Sequence, residues 1–505
     1  MLKQRAIQPL FFAMLIALGM LLGKFVGKGT GSKGVNSDKV NYVLKLVQNQ
    51  YVDSLDPKEL QEEIVTSVLH SLDPHSHYIP AENVEQENRD LVGSFVGIGI
   101  EFNVINDTPY IVRVMANGPA ELAGVRPADR LISADTSSLI GLKNSDIIRV
   151  LKGEQNSQVV LHIKRPKSKE LQDFTISRNT IPLPSVSAWF MLDDQTGYIK
   201  VDRFAGKTSE EFESALKELK QNEGFEQLVI DLRNNGGGYL QTAIAMLDHF
   251  FDEKLLLSYT TGKASYKKEY YSSEGGLATD VKLICLVNRN SASASEIFSG
   301  AIQDYDRGLV IGEKTFGKGL VQQTFELPDK SQLRLTVSRY YIPSGRCIQK
   351  SYVNGVQSYY DEVINRKDTA LGDRDSFYFE TRNGRKVFGG GGIDPDILVG
   401  SGLDHYRWLK DVDFNRKLIE FIDLEYEQIV DAKKPEHITV DKEMQASAEL
   451  FTDRDSGQTP NDLLLPVLRR FQGDQAYFQA FSSQDSAVIK ALSQFESMDT
   501  LLQLR

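Results

Sequence analysis

A serine-rich turn holds the side chains best suited to chemistry in this sequence. Three serines, Ser291, Ser293 and Ser295, alternate with alanine between an apolar, strand-like run and a helical pattern. A serine at the start of a helix lies among free backbone N–H groups, which favour a developing negative charge. An acyl-transfer nucleophile and part of its oxyanion hole could therefore share this turn. A plain helix cap explains the same pattern, and the run alone does not choose among its serines.

A lysine between two glycines supplies the base that such a serine needs. Lys318 lies in the run Thr-Phe-Gly-Lys-Gly, followed by leucine and valine. Burial in such a site lowers the pKa of an amine, so that a neutral lysine can accept a proton. Gln322 lies four residues later, on the same face in a strand or a helix, and its amide oxygen could orient the amine without adding charge. Taken singly, a loop lysine and a polar strand residue are the simpler interpretations, but together with the serine turn they favour a serine–lysine hydrolase.

The composition is that of an ordinary globular protein. The 505 residues are 41% hydrophobic and 25% charged, and this length favours several domains. The net charge of −11 gives no electrostatic basis for binding nucleic acid. We expect Cys285 and Cys347 to be unpaired, because Cys285 lies in an apolar, strand-like run. We interpret the one close histidine pair, His75 and His77, as solvated turn residues rather than as a metal site.

Residues 1–34 have the pattern of a membrane-targeting segment. Basic residues precede an apolar run from Leu10 to Gly23, and a glycine-rich linker follows Lys24. The run suits a signal h-region or a short membrane span in which the lysine reaches the interface. No small-residue cleavage site stands at the usual place, so we predict an uncleaved anchor, with a cleaved signal peptide as the alternative. Either one places the bulk of the chain outside the cytoplasm.

The rest of the chain divides into regions that differ in composition and hydrophobic pattern. Residues 35–92 show the apolar spacing of helices, interrupted at Pro74. Residues 93–180 are glycine-rich at first and then alternate short strands and helices. Residues 181–400 alternate buried strands with amphipathic helices, which predicts a mixed sheet covered by helices. Residues 401–505 are helix-rich and polar, and they contain no motif to which we assign chemistry.

Several motifs together resemble those of the C-terminal processing peptidases, also called tail-specific proteases. The resemblance covers roughly residues 38–400. Its motifs are Leu72-Asp-Pro-His-Ser76, Asp231-Leu-Arg-Asn-Asn-Gly-Gly-Gly238, Ser291-Ala-Ser-Ala-Ser-Glu-Ile297, Thr315-Phe-Gly-Lys-Gly319 and Tyr341-Ile-Pro-Ser-Gly-Arg346. In that family the nucleophile stands three residues before the glutamate and 25 before the lysine, which selects Ser293. At that glutamate position, we expect Glu296 to be a helix cap or an ion-pair partner rather than a catalytic group.

The resemblance implies a role for each residue of the site. Ser293 is the nucleophile, Lys318 is the general base, and Gln322 orients the lysine. The oxyanion would bind the backbone N–H of Ala294 and one N–H of the glycine-rich turn, for which Gly237 is the candidate.

Residues 93–180 resemble a PDZ domain of the bacterial protease type. In such domains a glycine-rich loop holds the terminal carboxylate of a peptide that adds a strand to the sheet. By resemblance, Gly97, Ile98 and Gly99 belong to that loop, and the strand-addition surface would favour an apolar C-terminal side chain. The implied fold class is an α/β multidomain protein. It has a mixed sheet-and-helix serine protease core of the ClpP/crotonase type, an inserted PDZ domain and flanking helical regions.

We therefore expect a periplasmic serine endopeptidase, anchored to the inner membrane, that recognises protein C-termini for processing or degradation. The resemblance also favours a homodimer, and we expect no metal, organic cofactor or nucleic acid. Two rival functions stay open. A catalytically silent PDZ scaffold would bind tails without cutting them, and a serine hydrolase with a histidine base, such as His249, would be an esterase.

Overall fold

The computed structural model describes residues 37–366, 378–400, 411–432, 438, 441–452 and 458–503. It divides the chain into two units, residues 1–67 and 68–505. The predicted anchor, residues 1–34, lies outside the described residues. Within the described ranges, no helix is both long and apolar enough to cross a membrane.

The described part of the chain contains the following helices and strands. The helices are α1 Ser37–Gln50, α2 Pro57–His70, α3 Val84–Val92, α4 Pro119–Leu122, α5 Asn144–Leu151, α6 Thr208–Leu219, α7 Leu240–Asp248, α8 Ala294–Asp304, α9 Val356–Asn365, α10 Val412–Asp431, α11 Lys442–Phe451, α12 Pro460–Ser482, α13 Ser486–Leu492 and α14 Met498–Leu501. The strands are β1 His77–Ile79, β2 Ser94–Gly97, β3 Ile100–Ile105, β4 Thr108–Val114, β5 Arg130–Ala134, β6 Ser137–Ser138, β7 Gln158–Lys164, β8 Leu171–Ser177, β9 Asn179–Pro182, β10 Val186–Met191, β11 Thr196–Val201, β12 Gln227–Asp231, β13 Leu256–Thr261, β14 Lys268–Tyr271, β15 Lys282–Val287, β16 Gly308–Gly312, β17 Leu320–Glu326, β18 Gln332–Tyr341, β19 Tyr378–Glu380, β20 Lys386–Phe388 and β21 Ile397–Leu398.

The first unit contains α1 and most of α2. Asp56 stands immediately before α2, and its carboxylate accepts hydrogen bonds from the backbone N–H groups of Lys58 at 2.7 Å and Glu59 at 3.1 Å. The helix begins with Pro57, whose fixed φ and missing N–H suit the first helical position.

The region from β3 to β8 is an antiparallel sheet covered by two short helices. Its strand order is β3-β4-β5-β7-β8, with β6 paired to β5. The core of this region includes Ile111, Leu131, Ile147, Leu161 and Ile163, all of them 0% exposed. Strands β2 and β9 pair with each other where the chain enters and leaves the region.

The central sheet has the order β10-β11-β12-β15-β16-β21. It is parallel from β11 to β21, and β10 is antiparallel to β11. One face packs on α6, α7 and α8, and the other packs on α12, α13 and α14. Burial on both faces explains the continuous apolar runs of these strands. Because parallel strands end at the same edge of a sheet, the turns after β12 and β15 lie side by side.

A second sheet is organised around the long strand β18. This strand pairs with β1, β13 and β17, and β13 also pairs with β14. The pairing brings the turn at residues 73–76, which precedes β1, next to β17.

The C-terminal helices are integral to the fold. Helices α10 and α11 and the first part of α12 share a core with Tyr110 and Ala128 of the β3–β8 region. After a kink at Gly473, where φ is 87°, α12 continues across the central sheet. The described part of the C-terminal region forms helices α10 to α14, and Cys285 and Cys347 are not bonded to each other.

Candidate active site

Ser293 occupies a strained backbone position at the start of a buried helix. It immediately precedes α8, with φ 57° and ψ −113°. A residue with a side chain adopts such angles at a cost of about 1–3 kcal/mol, so its surroundings must hold it there. The turn places Ser293 at the positive end of an 11-residue helix, where a developing negative charge is favoured.

The other two serines of the run have structural roles. The Ser291 hydroxyl donates to the carbonyl of Leu232 at 2.8 Å, and the Ser295 hydroxyl donates to that of Asn235 at 2.8 Å. Both serines are 0% exposed, whereas Ser293 is partly exposed. Burial and hydrogen bonding therefore leave Ser293 as the accessible hydroxyl of the run.

The glycine-rich turn after β12 packs directly against Ser293. A Cβ added to Gly237 would lie 2.7 Å from the Cβ of Ser293 and 3.0 Å from the backbone N of Ala294. Gly237 also has φ 101°, so both the space and the backbone conformation require glycine. The N–H of Ala292 donates to the carbonyl of Asn235 at 3.0 Å, which ties the two turns together.

The two predicted oxyanion donors lie side by side, but one of them is occupied. Ala294 N is the first amide of α8. The N–H of Gly237 donates to the Asn235 side-chain oxygen at 2.9 Å, so it is not a free donor in this arrangement. The role of Gly237 in binding an oxyanion stays a prediction. For this role, its N–H must release the Asn235 oxygen and donate to the substrate oxygen instead.

A buried carboxylate joins the serine turn to the lysine loop. Glu296 is 0% exposed and accepts hydrogen bonds from the backbone N–H groups of Ser293 at 2.8 Å, Gly317 at 2.7 Å and Lys318 at 2.9 Å. The Thr315 hydroxyl donates to the same carboxylate at 2.6 Å. The pKa of Glu296 is raised, because burial outweighs the opposing effect of the four donors that stabilise the carboxylate. The predicted helix cap is confirmed, and the same side chain also fixes the lysine loop.

A tyrosine hydroxyl makes a second link between these two loops. Tyr340 lies in β18 and is 1% exposed. Its hydroxyl is 3.0 Å from the carbonyl oxygen of Ser293 and 2.6 Å from that of Lys318. The backbones of the serine turn and the lysine loop are thus held together by the Glu296 carboxylate and the Tyr340 hydroxyl.

The Lys318 amine has a neutral partner. It donates to the Gln322 side-chain oxygen at 2.9 Å, and burial together with the charge of Arg334 lowers the pKa of the lysine. The Gln322 side-chain nitrogen donates to the carbonyl of His75 at 2.5 Å. A carbonyl can only accept, so this bond turns the amide nitrogen toward His75 and the amide oxygen toward the lysine. The amine is oriented without a negative charge that would keep it protonated.

The interpretation of His75 as a solvated turn residue is wrong. Its ring nitrogen Nε2 lies 2.9 Å from the Tyr359 hydroxyl, and burial, with the charge of Lys318, lowers the pKa of His75 to about 3. The turn is fixed by Asp73, which accepts from the backbone N–H groups of His75 at 2.8 Å and Ser76 at 2.9 Å. The sequence offered one signal for this role, the Leu-Asp-Pro-His-Ser motif, but no chemistry to attach to it.

No cluster of histidine, cysteine, aspartate or glutamate residues that could hold a metal ion occurs in the described part of the chain. The rival base, His249, lies at the end of α7 with its ring 6.0 Å from that of Phe212. Burial lowers the pKa of His249, and its nearby charges include Glu213 and Lys217.

The predicted peptide-binding loop lies between β2 and β3. The carbonyls of Ile98 and Gly99 accept hydrogen bonds from Ala120 and Met115, both at 2.9 Å, and Ile98 is buried. Gly99 has φ 82°, as a tight turn of this kind requires. Strand β3 ends the sheet, and among the described strands none pairs with its outer edge. This edge is open to an added strand, and the carboxylate-binding role of the loop stays a prediction.

Comparison with known proteins agrees with this arrangement. Residues 195–360 match the model of peptidase family S41, and residues 110–165 match that of a PDZ domain. Both S41 and PDZ matches fall inside the regions predicted for the protease core and the PDZ domain, and the predicted fold class is confirmed.

Two curated relatives of this chain have names that describe bacterial proteases. A probable CtpA-like serine protease of Staphylococcus aureus (strain N315) is 33% identical over 315 residues, which is 62% of this chain and 62% of that protein. The carboxy-terminal processing protease CtpB of Bacillus subtilis (strain 168) is 35% identical over 317 residues, 62% of this chain and 65% of that protein. The chain thus spans less than two thirds of the length of these relatives. The resemblance to C-terminal processing peptidases is confirmed.

Among solved structures, the photosystem II D1 C-terminal processing protease is 27% identical. The match covers 61% of this chain and 83% of that one, with a TM-score of 0.36. A score this low adds no support for the S41 fold.

We predict that Glu296→Gln destabilises the protein. The new amide nitrogen would face backbone N–H groups, so at least one buried donor would lose its acceptor. The free energy of unfolding should fall by about 3 kcal/mol, as measured by urea denaturation.

The matched control for this variant is Glu326→Gln. Glu326 lies in β17 with an exposed side chain that pairs with Lys330. Its loss should change the unfolding free energy by less than about 0.5 kcal/mol. Equal stability of the two variants would show that the Glu296 carboxylate does not hold the two loops.

Proposed function

We propose that this protein is a serine endopeptidase that binds the C-terminal tails of other proteins and cleaves their peptide bonds with Ser293 and Lys318. The observation that carries the proposal is the partly buried Lys318 amine, whose pKa is lowered and whose side-chain partner is the neutral amide of Gln322. Beside it, across the Glu296 carboxylate, stands the accessible serine of a strained helix start. An amine whose ammonium form is destabilised and a positioned hydroxyl are the requirements of a serine–lysine mechanism.

The reaction would have two stages, acylation and deacylation, with two proton transfers in each. The Ser293 hydroxyl passes its proton to the neutral Lys318 amine as its oxygen bonds to the substrate carbonyl carbon. The resulting ammonium returns the proton to the leaving nitrogen, the peptide C–N bond breaks, and an acyl-enzyme remains. A water molecule then gives a proton to Lys318 and attacks the ester, and the serine leaves with that proton.

Charge on the substrate oxygen would be stabilised at the start of α8. The N–H of Ala294 and the helix dipole favour an oxyanion beside Ser293. The N–H of Gly237 would join them when the Asn235 side chain releases it.

Substrate recognition would use the PDZ domain. The open edge of β3 supports addition of a peptide strand, and the loop of Gly97, Ile98 and Gly99 would receive its terminal carboxylate. Tails that end in an apolar residue are the proposed substrates, for processing or degradation.

We further propose that the protein acts in the periplasm, tethered to the inner membrane by residues 1–34, as a homodimer. The basic-then-apolar pattern of the N-terminal segment supports the location. Support for the dimer comes from α1, where Val40, Val43 and Leu46 recur at helical spacing and are 44%, 47% and 43% exposed. An apolar stripe of this kind suits pairing with the same stripe of a second copy.

Ser293→Ala and Lys318→Ala should each lower tail cleavage by at least about a thousandfold, because one removes the nucleophile and the other the base. Peptides with an apolar C-terminus are incubated with the protein, and the fragments are read by mass spectrometry. The control Lys330→Ala removes an exposed lysine and should cut at the wild-type rate.

Full activity of Ser293→Ala or Lys318→Ala would contradict the assignment of nucleophile and base. A wild-type protein that binds the peptide without cutting it would instead be the PDZ scaffold. Loss of activity in His249→Ala, with Lys318→Ala active, would favour the esterase with a histidine base.

Gln322→Glu should move the rising limb of the pH–rate profile to higher pH. The base works only when neutral, so activity is present above the pKa of Lys318 and is lost as the pH falls below it. A carboxylate beside the amine stabilises the ammonium, and the limb should move up by roughly one to two pH units. The wild-type limb is expected below 10.5, the ordinary lysine value.

Gln323→Glu is the matched control for this shift. Gln323 is the next residue of β17, is exposed, and lies on the opposite face of the strand. The same charge placed there should leave the profile within about 0.3 pH units of wild type, since solvent screens it. Equal profiles for the two glutamate variants would exclude Gln322 as the partner of the base.

Location and assembly can be read in one experiment. Intact spheroplasts are treated with a membrane-impermeant, lysine-reactive cross-linker, and the protein is detected by immunoblot. The expected product has twice the 56.6 kDa mass of one chain. Reaction that requires cell lysis would contradict the periplasmic location, and a modified protein of single mass would contradict the homodimer.

A further inference from the structure

A buried arginine stands at the base of the glycine-rich turn. Arg233 lies between the end of β12 and Gly237, and its guanidinium is 0% exposed. On one side it binds Asp231, with Nε 3.0 Å from Oδ1 and Nη2 2.5 Å from Oδ2. On the other side it binds both oxygens of Asp485, with Nη1 3.0 Å from Oδ1 and Nη2 2.6 Å from Oδ2. The second carboxylate comes from the C-terminal helical region, 252 residues away in sequence.

The buried charges of this cluster are paired. Lys200 lies 3.8 Å from Asp231 and 3.5 Å from the more exposed Asp202, and it also donates to the carbonyl of Arg233 at 2.7 Å. Burial alone would raise the pKa of Asp231, but the charges of Arg233 and Lys200 hold it at about 2. Removing one partner of such a buried group leaves an uncompensated charge, and the remaining groups must move or take up water.

Asp485 is held in place independently of the arginine. It is the N-cap of α13 and accepts from the backbone N–H groups of Ala487 at 3.0 Å and Val488 at 3.4 Å. Helices α12 and α13 bury Phe478 and Val488, among others, on the face of the central sheet that is opposite to α8. The Asp485 carboxylate is therefore fixed by its own helix, and Arg233 is hydrogen-bonded to it.

The arginine in turn is continuous with the turn that packs on Ser293. Two residues after it, the carbonyl of Asn235 accepts from the N–H of Ala292 and the hydroxyl of Ser295. Gly237 then packs on Ser293 itself. A shift of Arg233 would thus move both the predicted oxyanion donor and the backbone beside the nucleophile.

We propose that Asp485 is a positioning residue of the active site and that the C-terminal helical region, through its bidentate bond to Arg233, holds the glycine-rich turn in place for catalysis. The catalytic part of this inference rests on the proposed function, whereas the positional part does not. Asp485 lies outside residues 195–360, the segment that matches the S41 model. On this proposal, the residues that position the active site extend beyond the S41 segment to the start of α13.

Asp485→Asn tests the bond while sparing the helix cap, because asparagine caps a helix about as well as aspartate. Hydrogen exchange, read by mass spectrometry, should rise at least about fivefold in residues 233–239 and stay at the wild-type level in α7 and the β3–β8 sheet. The rate at which a fluorophosphonate labels Ser293 should fall at least about tenfold. The midpoint of its pH dependence should not move, since Lys318 is untouched.

Two control variants remove a charge from the same helical region without touching Arg233. Asp499→Asn breaks an exposed ion pair with Lys282 of the central sheet, and Asp441→Asn changes the N-cap of α11. Both should keep wild-type exchange in the turn and wild-type labelling.

The double variant Arg233→Gln/Asp485→Asn covers the case in which Asp485→Asn fails to fold. It removes the charge pair as a unit and leaves Lys200 as the cationic partner of Asp231 and Asp202, so it should fold. It should show the same faster exchange of the turn and slower labelling. Wild-type exchange of residues 233–239 in either folded variant would overturn the inference. A wild-type protein that is not labelled at Ser293 would contradict the proposed function, and the exchange measurement would still decide the positional claim.

Discussion

The buried carboxylate of Glu296 is the interaction on which the site depends. Its oxygens accept three backbone N–H groups and one hydroxyl, and these donors belong to two separate loops, one before α8 and one before β17. Alternative acceptors for these donors would have to come from water, which a 0% exposed group excludes. The spacing of Ser293 and Lys318 therefore depends on this side chain, together with the Tyr340 hydroxyl that links the same two loops.

A lysine base also depends on the absence of a negatively charged partner for its amine. Burial destabilises the ammonium, and the one side chain that orients the amine, Gln322, is neutral. Its orientation comes from the carbonyl of His75, at the turn before β1. Segments far apart in sequence thus supply the proposed nucleophile, the proposed base, its partner and the group that orients the partner. Small displacements of any of them would change the geometry of proton transfer.

Local patterns predicted much of the fold, because each depends on neighbouring residues. The apolar run that became β15, the amphipathic stretch that became α6 and the glycine-rich turn after β12 follow from periodicity and turn chemistry. His75 was misinterpreted as solvated because nothing nearby in sequence buries it. Its neighbours Tyr359 and Phe316 lie far along the chain, 284 positions later in the case of Tyr359. The C-terminal helices were predicted as helices, yet their sequence contains no sign of what they cover.

By itself, the sequence determined which residue types could do chemistry and the elements that present them: a serine at a helix start, a lysine among small and apolar residues, and a glutamine four residues further on. Family spacing selected Ser293 among three serines. Only the tertiary structure decided which hydroxyl is accessible, how Glu296 joins the two loops and how Asp485 reaches Arg233. The physical reason is that burial and hydrogen-bond partners are properties of packing. A residue's neighbours in space, 252 positions away in the case of Arg233 and Asp485, leave no trace in the local pattern.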